Sequence, residues 1–263
     1  MNQILDGARV FLCLSFLIYA SWSDYKTREV SNKVWIVLGP LGLSLTVFQF
    51  LLYSGEPFQF LASYFISFAI ISVLSLVIFY LGGFGGADAK AFICITLILP
   101  VYPNFLLSRP PGFISPLFPL SIFSNSVFLG ALSVFYILVR NFIWKIRNNG
   151  TIFQGLKKES FGLKILALIS GYKIKIFDLE KGHVFPLEDI QVNNEGKVER
   201  KLLAFPNYDD REDIISRIKE NNLAEWVWVT PGLPLLIFIT FGLMAALVYG
   251  DIVWLLLGQI IGL

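Results

Sequence analysis

Asp24 closes an apolar stretch, in Ser21-Trp22-Ser23-Asp24-Tyr25-Lys26-Thr27, and Asp88 opens another, in Gly82-Gly83-Phe84-Gly85-Gly86-Ala87-Asp88-Ala89-Lys90. A carboxylate at the border of a long hydrophobic segment is costly unless it pairs or acts. Two carboxylates brought together cannot both ionise cheaply, so they share a proton. Such a pair can activate a water and protonate a leaving amine in turn, which is aspartyl protease chemistry. Gly82, Gly83, Gly85 and Gly86 remove side chains just before Asp88 and let backbone approach closely, as a docking substrate strand requires. The plain structural alternative is a glycine hinge between two helices with a capping aspartate. Lys90, two residues past Asp88, either biases its charge or reaches for lipid headgroups.

The elements that must position these acids are membrane helices. Of 263 residues, 56% are hydrophobic and 15% charged, against roughly 25% charged in soluble domains. That excludes a disordered chain and argues against an ordinary soluble enzyme. Residues 141–226 hold 14 basic and 13 acidic side chains, leaving 13 charged residues for the remaining 177. A spanning helix needs about 20 mostly apolar residues, because its backbone must satisfy itself in lipid. Runs 10–23 (with a weaker start near Leu5), 34–53, 58–81, 119–139 and 229–249 qualify, the last with Pro231 and Pro234 in its first turns. A shorter run, 88–102, is interrupted by Pro100 and reads as a short or tilted span. The tail after Asp251 is too short to cross again and is expected to pack on the bundle or lie at the interface. The first run, with Asp6 beside Arg9 and no small-residue cleavage site before SDYKTREV, is expected to be retained rather than cleaved.

Lys26, Arg28 and Lys33, then Lys90, then Arg140, Lys145 and Arg147 gather in alternate loops, whereas loops 54–57 and 103–118 hold only Arg109 as a basic residue. Basic loops stay on the cytoplasmic side, so six spans with both termini outside fit, and Asp24 and Asp88 fall at the same cytoplasmic face. The expected fold is an all-α polytopic membrane bundle of six transmembrane helices with a small α/β cytoplasmic inset. Its parts are residues 1–140 with both aspartates, the inset 141–226, and 227–263 with the last span.

Within the inset, GYKIKIFDL (171–179) alternates as a strand does, Gly182 marks a turn, 198–205 is a second strand, and 209–223 repeats Ile214, Ile215 and Ile218 as an amphipathic helix. The balanced charge is that of a folded domain rather than a polybasic tail. A net charge of +2 offers nothing to nucleic acid. Cys13 and Cys94 lie inside apolar runs and read as core packing. His183, the only histidine, excludes a multi-histidine metal centre and reads as structural.

The stretch Gly82-x-Phe84-Gly85-x-Ala87-Asp88 resembles the G-x-hydrophobic-G-x-G-D signature of the GxGD membrane aspartyl proteases, with Ala87 in place of the last glycine. Asp24, followed by Thr27, Val30 and Asn32, resembles the first-aspartate motif of the type IV prepilin peptidases, with Ser31 where that family has proline. The resemblance covers about the first 100 residues. Within the family the chain looks most like the archaeal preflagellin (archaellin) peptidases, which have six spans and a soluble domain before the last. The resemblance implies cofactor-free removal of short, positively charged leaders from membrane-inserted flagellin-like or pilin-like precursors at the cytoplasmic face of the cell membrane, with Asp24 and Asp88 catalytic. It does not imply the four-cysteine zinc loop of many bacterial relatives, since no cysteine lies in a loop.

Asp209, Asp210, Glu212, Asp213 and Glu29 are candidates for attracting a basic leader, or else a solvated face and a helix start. The rival functions are a proton-coupled membrane transporter using an Asp pair and a non-catalytic scaffold. Against the first, both acids sit at one face and no inverted repeat is evident.

Overall fold

The structure is a computed structural model, and it describes all residues except 1, 53–56, 104–116, 149–150, 181–182, 193–197, 208–209, 222 and 262–263. Arg109, Gly182, Asp209 and most of the two loops at 54–57 and 103–118 therefore lie outside the described residues. The elements run α1 (Asn2–Thr27), α2 (Asn32–Leu51), α3 (Pro57–Tyr80), α4 (Gly86–Ile98), α5 (Phe118–Ala131), α6 (Ser133–Asn148), α7 (Phe161–Ser170), β1 (Tyr172–Lys175), β2 (Val184–Pro186), β3 (Glu188–Val192), β4 (Val198–Leu202), α8 (Arg211–Asn221), β5 (Trp226–Pro231), α9 (Leu235–Val248) and α10 (Ile252–Ile261). They form two compact units, residues 1–131 with 234–263, and residues 132–233.

In the first unit α4 is the central element. Ala91, Phe92, Ile95 and Ile98 are buried on it, among Leu17, Leu38, Ile71 and Leu243 from its neighbours. Small residues let the helices close up, as they do where lipid gives no hydrophobic drive for association. A Cβ on Gly42 would stand 1.9 Å from Ile98 Cγ1, and one on Gly242 would stand 2.2 Å from Ser126 Oγ and 2.9 Å from the Ile122 carbonyl. One buried polar cluster inside this unit is paired across helices. Arg9 and Asp6 are both 1% exposed and form an ion pair at 3.4 Å. Gln49 Nε2 donates to Asp6 at 2.9 Å, and Gln49 Oε1 accepts from Arg9. Arg9 also donates to Thr46 Oγ1 at 3.2 Å, and Thr46 donates at 2.6 Å to the Leu97 carbonyl at the end of α4. Asp6 and Arg9 thus carry a buried link from α1 through α2 to α4.

Four helical stretches are long and apolar enough to cross a membrane, Gln3–Thr27, Asn32–Leu51, Phe58–Tyr80 and Phe118–Asn148; the α9–α10 pair makes five if its 62° bend is one broken span. Six full-length spans are therefore not what the described residues contain. The short run expected at 88–102 is helical only over the 13 residues of α4, about 20 Å. Leu99 leaves helical geometry at φ −127° and ψ 61°, as the residue before a proline does. At the α9–α10 break Gly250 has φ +79°. Buried Asn125 donates to the Gly250 carbonyl at 2.8 Å and accepts from Ile252 N at 2.9 Å, while buried Asp251 accepts from Ser124 Oγ at 2.9 Å and Trp254 N at 3.1 Å.

In the second unit β5 is the central strand of an antiparallel sheet ordered β1-β5-β2, with Tyr172 opposite Val229 and Val184 opposite Pro231. β3 and β4 pair separately, Glu188 opposite Leu202. The sixth span expected from Val229 is thereby corrected: Trp226–Pro231 is strand, and the helix starts only at Leu235. Pro231 ends that strand and Pro234 precedes the helix. The strand expected over 171–179 stops at Lys175, where Ile176–Asp178 turns as a 3-10 helix, and the second strand and the helix appear as β4 and α8. Trp228, fully buried, stacks on Phe153 at 5.1 Å. Buried Glu188 accepts from Trp228 N at 2.8 Å and from Arg200 Nε at 2.7 Å. Its carboxyl is pushed up by burial against the opposing pull of Arg200 and the Trp228 amide. The same cluster holds Lys173, its ammonium 4.5 Å from the Trp144 ring and lowered to about 8 by burial, with Glu188 raising it and Arg200 lowering it.

Candidate active site

Asp24 lies in the last turn of α1, half-buried. The chain reverses directly after it. Arg28 takes φ +59°, a left-handed geometry that ends helices, and its amide donates to the Asp24 carbonyl at 3.0 Å. Ser23 Oγ and Thr27 Oγ1 both donate to the Glu29 carbonyl, at 2.7 and 3.1 Å, folding the loop back on the helix end. Ser31 then caps α2, its side chain accepting from Lys33 N.

Asp88 lies in the first turn of α4 and is 7% exposed. Its Oδ2 accepts from Gly85 N at 2.8 Å, half of a capping box; the other half is missing because glycine has no side chain. The glycine run is shaped around this carboxylate. Gly82 has φ +77°, and a Cβ on Gly85 would sit 3.1 Å from Asp88 Oδ2. Gly86 is less constrained, a Cβ there meeting only Phe79 Cε2 at 3.7 Å. Phe84 fixes the loop from inside, its ring 5.6 Å from Phe92 and 6.0 Å from Phe123, and Ala87 packs on the same core.

The helices that carry the two acids, α1 and α4, pack against each other within the first unit. Lys90 is exposed, and its ammonium donates to Asn32 Oδ1 at 2.7 Å, so its partner is the start of α2. That brace is invisible to sequence reasoning, although Asn32 belongs to the motif that singles out Asp24. Glu29 is exposed on the loop. Asp210, Glu212 and Asp213 are exposed in the other unit at the start of α8, where Asp210 accepts from Asn207 Nδ2 at 2.6 Å. Cys13 and Cys94 are free and buried in the first unit's core, and His183 is exposed. Among the described residues no three His, Cys, Asp or Glu side chains gather as metal ligands would.

Comparison with known proteins matches both parts of the chain. A model described as the type IV leader peptidase family matches residues 11–135, which contain both aspartates. A second, described as archaeal peptidase A24 C-terminus type II, matches residues 163–252. The preflagellin peptidase of Methanococcus voltae is 29% identical over 239 residues, 89% of this chain and 92% of that protein. Those of Methanococcus maripaludis and Methanocaldococcus jannaschii are 25% and 24% identical, each over 89% of this chain and 92% and 91% of their own length. The two matched regions together take in most of the chain, which over this length is similar to the type IV leader peptidase family and to the preflagellin peptidases.

Proposed function

We propose that the protein is a membrane aspartyl endopeptidase that removes short, positively charged leaders from flagellin-like or pilin-like precursors, with Asp24 and Asp88 as the catalytic pair. The single observation that carries this reading is that two acids 64 positions apart, one ending α1 and one beginning α4, lie on helices that pack against each other in one compact unit. Names of the relatives, all preflagellin peptidases, supply the substrate class.

In this mechanism the pair holds one proton. The ionised carboxylate takes a proton from water as the water oxygen attacks the scissile carbonyl, while the protonated one donates to the carbonyl oxygen; the first then passes its proton to the leaving amine as the second recovers one from a hydroxyl of the tetrahedral intermediate, which restores the pair. Gly85, whose missing Cβ keeps Asp88 Oδ2 clear, together with Gly82, Gly86 and Ala87, leaves room for the precursor backbone. The Gly85 amide holds Asp88 Oδ2 and so orients the carboxylate. By the charge of the loops the site lies on the cytoplasmic side with both termini outside, and α4 serves as a short sixth crossing enclosed by the others. A proton-coupled transporter is not favoured, because every relative reported above is a peptidase.

The test is cleavage of a full-length precursor by the purified full-length protein in detergent. A single defined cut is expected, abolished in both Asp24→Asn and Asp88→Asn while their helical signal and unfolding behaviour stay unchanged. Appreciable turnover by either variant overturns the pair.

A further inference from the structure

We propose that α7 is an interfacial helix that seats the second unit on an anionic lipid surface. The proposal needs only that the chain resides in a membrane, so it stands apart from the peptidase reading.

α7, FGLKILALIS, has two apolar faces. Leu163, Ala167 and Leu168 pack inward with Leu156, Leu187, Leu202 and Trp228. On the other side Phe161, Ile165 and Ile169 are 79%, 43% and 38% exposed. Spaced four apart, they form one row about 12 Å long. Helices with a packed face and an exposed row of this kind lie in the plane of a bilayer when cations accompany them.

Two observations point to lipid as the occupant. The first is continuity with an apolar helix surface. Asn141 of α6 is buried and its Nδ2 donates to the Leu168 and Gly171 carbonyls at 3.1 and 2.8 Å, satisfying groups that the end of α7 leaves open. This pins the C-terminal end of α7 to α6, where Phe142, Ile143 and Ile146 are exposed within the span-capable stretch Phe118–Asn148. The second is charge. Residues 141–170 carry Lys145, Arg147, Lys157, Lys158 and Lys164 against Glu159 alone; Lys158 pairs with Glu199 at 2.8 Å, and Glu159 accepts from Leu202 N at 3.2 Å. Residues 171–226 are opposite in balance, with nine basic and twelve acidic. The near-neutral total of the inset conceals a cationic segment bearing the exposed apolar row, which is what anionic headgroups and their acyl boundary recognise.

The experiment uses the full-length protein, one copy per nanodisc, without precursor. A cysteine introduced by Ile165→Cys, or by Ser216→Cys on the exposed side of α8, carries a bimane label; the native Cys13 and Cys94 are buried. In discs of phosphatidylglycerol containing nitroxide lipid, quenching at position 165 is expected to exceed that at 216 several-fold. It should fall in discs of neutral lipid, and also in anionic discs when Lys157, Lys158 and Lys164 are changed to Gln. Equal quenching at the two positions overturns the proposal. So does shielding at 165 without quenching, which means that protein covers the row, or quenching that needs added precursor. Insensitivity to both the lipid charge and the lysine changes overturns the anionic assignment.

Discussion

The Lys90 ammonium donates to Asn32 Oδ1 at 2.7 Å, joining α4 two residues past Asp88 to α2 eight residues past Asp24. The two segments that carry the acids are thereby braced to each other from outside. Lys90→Met and Asn32→Ala should each lower kcat several-fold. The double variant should be scarcely worse than either alone, because one hydrogen bond is lost in all three cases. An exposed bond of this type is worth about 0.5–1 kcal/mol, and a double-mutant cycle on precursor cleavage measures it. Strict additivity would show that the two residues act separately.

Gly85 is sized for Asp88. Gly85→Ala places a methyl 3.1 Å from Asp88 Oδ2, and the carboxylate must turn or shift. We expect kcat to fall roughly ten-fold, as small displacements of reacting groups do, with KM little changed. Gly86→Ala, which meets only Phe79 at ordinary contact distance, should stay within about two-fold of the parent.

The buried Arg9–Asp6 pair should matter to stability rather than to turnover. Asp6→Leu leaves a guanidinium without its counter-charge inside the bundle, at a cost of about 3–5 kcal/mol. Asp6→Leu with Arg9→Met removes both charges and should recover most of that loss. Unfolding in detergent, followed by helical signal, distinguishes the two. Equal destabilisation of the single and double variants would mean that the charges are not coupled.

Lys173 should make the second unit more stable in mild alkali. Its folded-state value, about 8, lies below the usual 10.5, so the unfolded chain binds its proton more firmly. Below pH 8 the charged ammonium is held at full cost. As pH rises from 8 towards 10.5 that cost is relieved and the folded state gains. Relative to Lys173→Met, which cannot titrate, the parent should therefore gain stability over this window. A difference that stays flat between pH 7 and pH 10 would contradict the burial argument.

Much of the helical frame is legible in the chain itself. Runs 34–53 and 58–81 match α2 and α3 closely, because a helix in lipid must satisfy its own backbone and so declares itself locally. The charge count isolates the inset for the same local reason. Asp24 and Asp88 are conspicuous as acids on the borders of apolar runs. Strand β5 is the instructive failure. WVWVTP continues into the apolar run of α9 without a polar break, and its strand character rests on β1 and β2, more than 40 residues earlier. α7 is not legible because its two apolar faces leave no clean polar side, and α4 ends short of its apolar run because Pro100 acts before the hydrophobicity ends.

Sequence by itself determined a membrane protein with a polar inset, the two acids, and a glycine run before the second of them, all properties of neighbouring residues. Tertiary structure alone decided that the helices bearing Asp24 and Asp88 pack against each other, that Lys90 is tied to Asn32, and that Arg9 can be buried because Asp6, Gln49 and Thr46 surround it. Each of these joins positions on different helices. The energy of a buried or paired polar group depends on partners that only folding brings within a few ångströms, and no local pattern encodes which partner will arrive.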